Sequence, residues 1–201
     1  MLAVRCVYAH NLRFAGFLGN LLLAWIPLIL ALVIRGLPSG SRRLWFWAAL
    51  VAWFLFFPNA FYIVTDLIHE KKFGTDNVYR WFDLLMTTSF ACGGMFLGCL
   101  SLYLMQLTVR LRYGWRVGWT FAGAMLALGS FGIFLGRDLR LNSWDVVARP
   151  VRLIRNISSL AHPPRFQEVA AFSITFFFFS LAVYAFMISL ARLHEHDSDP
   201  R

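Results

Sequence analysis

Charge is what this chain has least of. Asp, Glu, Lys and Arg make up 14% of its 201 residues, against about 25% in an ordinary soluble domain. Only 10 of them are acids. A water-solvated globule is thereby excluded, and the formal charge of +9 needs a partner other than nucleic acid. No nucleic-acid motif occurs, and the basic residues stand in short blocks between apolar runs, where anionic lipid head groups and topology account for them. Cysteine is nearly as scarce. Of Cys6, Cys92 and Cys99, the last two are seven residues apart in one apolar run, roughly 10 Å along a helix and too far for a disulfide. They are expected to be small packing residues. Equally missing are a paired-His helix, a nucleophile elbow, a phosphate loop and a glycine-rich dinucleotide fingerprint, which removes the common motif-bearing enzymes.

What is abundant is grease. Hydrophobic residues reach 59%, with 21 Phe and 8 Trp. Five apolar stretches, at about 14–34, 44–67, 83–107, 117–136 and 169–191, are long enough to cross a hydrocarbon core, which takes about 20 residues of helix. The first is too long for a signal-peptide core and has no small-residue cleavage site after it, so it is expected to be a retained span. Between the fourth and fifth, 150-PVRLIRNISSLA-161 sets Val151, Ile154, Ile157 and Leu160 or Ala161 against Arg152, Arg155 and Ser159. That periodicity predicts a short interfacial helix, opened by Pro150 and closed by Pro163 and Pro164. The expected fold is an all-α, polytopic transmembrane bundle of about five spans plus that interfacial helix. Residues 1–192 are expected to form a single integral membrane domain, with 193–201 a polar, frayed tail.

Five crossings carry a topological consequence. Residues 70–80 and 138–165 should lie on one side of the membrane and 36–42 and 110–116 on the other, whichever way the N-terminus points. Cysteines introduced singly at Thr75 and Ser158 should therefore show the same accessibility to an impermeant reagent; opposite accessibility would mean a miscounted span. Basic residues divide 11 to 8 between the two sides, too evenly to orient the chain.

The polar residues that interrupt the spans are unevenly distributed. In 57-FPNAFYIVTDLIHE-70, Asn59, Tyr62, Asp66 and His69 follow at three- and four-residue steps and share one helix face. Pro58 frees the carbonyl of Phe54 just before them. Asp83 and Thr87 open the third span in 81-WFDLLMTTSFA-91, and 136-GRDLRLNSWDVVARP-150 adds Arg137, Asp138, Arg140, Asn142 and Asp145 after the fourth. Singly, each has a structural explanation: Asp83 suits the first turn of a helix, and Asn142 with Asp145 resembles a cap. By crossing count all emerge on one side, and ionisable groups at membrane depth are usually kept for a site, a pathway or a buried pair.

These three blocks, FPNAFYIVTDLIH, WFDLLM and GRDLRLNSWD, resemble the signature blocks of a bacterial multi-pass membrane family known as domain of unknown function 1361. The resemblance runs from the second span onward and implies an integral protein of the bacterial cytoplasmic membrane; it implies no activity. From the residues, three functions fit. A membrane-embedded enzyme or cofactor-binding protein would use Asp66, His69, Asp83 and Asp138 as catalytic candidates and Asp66, His69 and Asp83 as ligands of a divalent cation. Asn59, Tyr62, Arg137, Arg140, Asn142 and Asp145 would bind the remainder of a ligand, the arginines holding a phosphate or lipid head group. A small transporter or accessory subunit would bind an ion or polar solute near Pro58. A scaffold would use the same cluster as a lock. Small residues at Gly94, Gly98, Gly118, Ala122, Gly129, Gly132 and Gly136 allow close helix packing or a homo-oligomer.

Overall fold

The computed structural model describes residues 16–37, 43–67, 80–138, 148, 151, 155, 158, 160 and 163–197. Five helices follow one another: α1 Gly16–Gly36, α2 Arg43–Thr65, α3 Arg80–Tyr113, α4 Trp115–Asp138 and α5 Arg165–Asp197. Each is long and apolar enough to cross a membrane, and no strand occurs among the described residues. In lipid this is the economical solution, because a helix satisfies its own backbone groups. The spans read from hydropathy are all present.

One boundary differs. The stretch 108–116, expected as a gap between spans, is helical up to Tyr113, and Gly114 alone separates α3 from α4. Arg110 and Arg112 end the apolar run without ending the helix, since arginines near a helix C-terminus favour its carbonyl end. Gly114 makes the turn at φ 95°, where a side chain would be strained. Its N–H donates to the Arg110 carbonyl at 2.9 Å, and its own carbonyl accepts from Gly118 at 3.1 Å. With 34 residues, α3 is about 51 Å long, well beyond a hydrocarbon core of about 30 Å.

The chain divides into two compact units, Met1–Thr108 and Val109–Arg201. In the first, α2 turns Trp53, Phe57, Ala60, Phe61 and Ile63 inward. Trp53 stacks on Phe57 at 5.0 Å, and Phe57 meets Phe61 edge-on at 5.5 Å. This row lies against α3 where α3 has no side chain. A Cβ at Gly94 would stand 2.6 Å from the Ala60 carbonyl oxygen, and one at Gly98 2.7 Å from the Phe61 ring. Farther along, the Trp53 indole N–H donates to Ser101 Oγ at 2.7 Å. Rising numbers on α3 meet falling numbers on α2, so the pair is antiparallel. The first helix buries Ala24, Pro27, Leu28, Ala31 and Ile34 and leaves Leu22, Ile29 and Leu32 exposed, a face that lipid solvates without penalty. Its start reaches α3, where Phe17 stacks on Phe90 at 5.9 Å.

The second unit pairs α4 with α5. Trp119 meets Tyr184 edge-on at 6.3 Å and Phe134 meets Phe172 at 5.6 Å, which makes this pair antiparallel too. Gly118, Ala122, Gly129 and Ser130 are buried on α4 with Leu126, Ile133 and Phe134, the small residues admitting the aromatic side chains of α5. Ala148, Val151, Arg155, Ser158 and Leu160 are helical; Ala148 precedes Pro150, the expected opening of the segment. Leu160 packs with Phe134 and Val169, while Val151, expected on the same side, is 69% exposed.

Candidate functional site

Asn20 on α1, Asn59, Tyr62 and Asp66 on α2, and Asp83 and Thr87 on α3 lie toward the end of the first unit at which α1 begins, α2 finishes and α3 begins. On α2, Asn59, Tyr62 and Asp66 are half-buried, the three- and four-residue steps placing them beside the fully buried row and not in it. Thr65 closes the helix by donating its hydroxyl to the Tyr62 carbonyl at 2.7 Å. The chain then tightens into a 3₁₀ turn at Asp66 and Leu67.

Asp66 is met there from another helix. The Asn20 side-chain amide on α1 donates to Asp66 Oδ2 at 3.3 Å, longer than the usual 2.7–2.9 Å of charge-assisted bonds. Asp66 has a further partner as well. Asn20 is the residue that spacing arguments pass over. Its signal was available, as the one amide in an otherwise apolar first span, but nothing in a single chain says which helix it will face.

On α3, Asp83 and Thr87 are both 0% exposed. Met86 between them packs with Phe17, Phe82 and Phe90, so this polar pair is set into an apolar wall. Asp83 has a partner. Thr87 differs: its hydroxyl oxygen is buried without a hydrogen-bond partner among the described residues. A wholly buried hydroxyl left unpaired costs about 1–3 kcal/mol, and an orphan of this kind calls for an explanation. The register set by Trp53 against Ser101 and by Ala60 against Gly94 puts Thr87 at nearly the level of Asp66, and Asp83 about one and a half turns beyond it along α3.

Among the described residues, no three of His, Cys, Asp and Glu come together as a metal ligand set. His69, Arg140, Asn142 and Asp145 lie outside the described residues. Arg137 and Asp138 are the last two residues of α4 in the second unit, half-buried and exposed respectively; Arg137 has a partner. Cys92 and Cys99 are free thiols, the latter buried, consistent with a packing role. In the first unit, the side-chain contact seen between these polar residues of different helices is that of Asn20 with Asp66.

Five apolar helices with lipid-compatible outer faces define a multi-pass integral membrane protein. The chain belongs to the family described as protein of unknown function (DUF1361), which matches residues 20–185. No curated protein and no solved structure matches it.

Proposed function

We propose that the polar end of the first unit is a binding site for a hydrated or organic cation, with Asp66 and Asp83 supplying negative charge and Asn20, Asn59, Tyr62 and Thr87 supplying neutral oxygens. His69, one turn past Asp66 in the sequence, completes the proposed set. The observation that carries this reading is Thr87, a wholly buried hydroxyl without a partner among the described residues, at the level of Asp66 and one helical turn from Asp83. Ser173 Oγ on α5 is also buried without a partner among the described residues, so Thr87 supports the reading through its place beside Asp66 and Asp83. The axial offset of about one and a half turns, roughly 7–8 Å, leaves room between the carboxylates for more than a bare ion. A larger guest suits it better.

A structural lock is the competing reading, favoured by one observation: Asp83 is completely buried and already engaged. Thr87→Val separates the two. Replacing an unpaired buried hydroxyl with a methyl group of the same shape should leave stability unchanged or raise it by about 1 kcal/mol. If the site binds a cation, the same variant should bind about tenfold more weakly, the cost of one lost hydrogen bond. Binding is read as the upward shift in detergent melting temperature on adding magnesium chloride or a short diammonium compound. No shift in wild type with either cation, together with coupled losses of stability for Asn20→Ala and Asp66→Asn in a double-mutant cycle, would assign the cluster to structure alone.

A further inference from the structure

The α3–α4 turn is exposed along its whole length: every residue from Arg110 to Val117 is accessible. Its composition is of two kinds. Leu111, Tyr113, Trp115 and Val117 are exposed by 76, 62, 55 and 46%, and Arg110, Arg112 and Arg116 alternate with them. No acid occurs between Asp83 and Asp138 in the sequence, and the first turn of α4 has none, so the turn itself carries three positive charges and no negative one; Glu195 and Asp197, at the end of α5, are the acids nearest it in the antiparallel pair. Four large apolar side chains in eight residues are poorly placed in bulk water, and three guanidinium groups cannot enter the hydrocarbon. One layer accommodates both, the head-group region, where aromatic rings and snorkelling arginines settle. The anions at that depth are lipid phosphates. Arg112 is prepared for one: its guanidinium lies over the Tyr113 ring, 5.6 Å from the centroid. A cation–π contact of this kind uses no N–H donor, so the guanidinium keeps its donors for phosphate.

We infer that the Arg110–Val117 turn is an anionic-phospholipid binding surface, holding phosphate through Arg110, Arg112 and Arg116 while Leu111, Tyr113, Trp115 and Val117 seat the turn at the head-group boundary. The single-residue connection at Gly114 keeps all three arginines at one end of the α3–α4 pair, so the surface selects lipids of net negative charge over zwitterionic ones.

The experiment uses the full-length protein in mixed micelles containing equal amounts of phosphatidylglycerol and phosphatidylcholine, with bound lipid counted by native mass spectrometry. Wild type should retain phosphatidylglycerol preferentially. Each arginine replaced by glutamine should reduce that preference about fivefold, the value of one basic residue near an anionic surface. The triple Lys variant, which keeps the charge and tests whether folding survives change at these sites, should retain most of it. Equal retention of both lipids by wild type would overturn the inference, as would an undiminished preference in the folded triple Gln variant. A lipid-free dimer that the Gln variant converts to monomer would assign the surface to a second copy of the chain instead.

Discussion

Gly94→Ala is expected to destabilise the first unit by about 2 kcal/mol, within the usual range for overpacking a close-fitting interior, although alanine is the better helix former by up to about 1 kcal/mol. The added methyl group would sit 2.6 Å from the Ala60 carbonyl oxygen, a backbone atom that cannot rotate away. Relief requires α2 and α3 to separate, and the Trp53–Ser101 bond depends on their spacing. At Gly98 the nearest atom belongs to the Phe61 ring, at 2.7 Å, and a ring edge can yield, so Gly98→Ala should cost less. Gly123 has nothing within 4 Å of its added Cβ, and Gly123→Ala should be neutral or slightly stabilising through helix propensity alone. Unfolding in detergent, followed by circular dichroism, should rank the three variants in that order. Equal melting temperatures for Gly94→Ala and Gly123→Ala would mean that the close approach of α2 and α3 contributes nothing.

The second large effect is expected at Asp83. It is wholly buried and engaged, so Asp83→Ala both opens a polar void and strands whatever it binds. Removing one member of a buried polar or ionic pair typically costs about 3–5 kcal/mol. Asp83→Asn keeps the shape and hydrogen-bonding capacity while deleting the charge, and comparing the two separates shape from charge. Under cation binding, Asp83→Asn should insert and remain folded yet lose the cation-induced melting shift. A shift of wild-type size in that variant would remove Asp83 from the proposed site. Yield of folded protein after detergent extraction, measured alongside, guards against mistaking misfolding for lost binding.

The two effects differ in how visible they are beforehand. A carboxylate in the first turn of an apolar run, as in WFDLLM, is conspicuous in any reading of the chain, and so is the Asn59–Tyr62–Asp66 stripe, because the helical repeat forces residues three and four apart onto one face. The five spans were legible for a stronger reason: lipid leaves the backbone no partner but itself, so a run of about 20 apolar residues has little choice but helix. The end of α3 was less legible. Hydropathy reports where hydrocarbon stops, whereas a helix stops where its backbone is broken, which here is Gly114 and not Arg110.

What the sequence by itself determined, then, is the class of protein, the number of crossings and the polar stripe along α2, all of them consequences of local periodicity and of the solvent the chain must inhabit. Only the tertiary structure decided that Asn20 would meet Asp66, that Gly94 rather than Gly123 would be the point of close approach, and that Thr87 would be buried without a partner among the described residues. In lipid every apolar face is almost equally well solvated, so hydrophobicity does not select which faces pair. That choice falls to the fit of backbone against glycine and to a few hydrogen bonds between helices, neither of which exists until the helices are side by side.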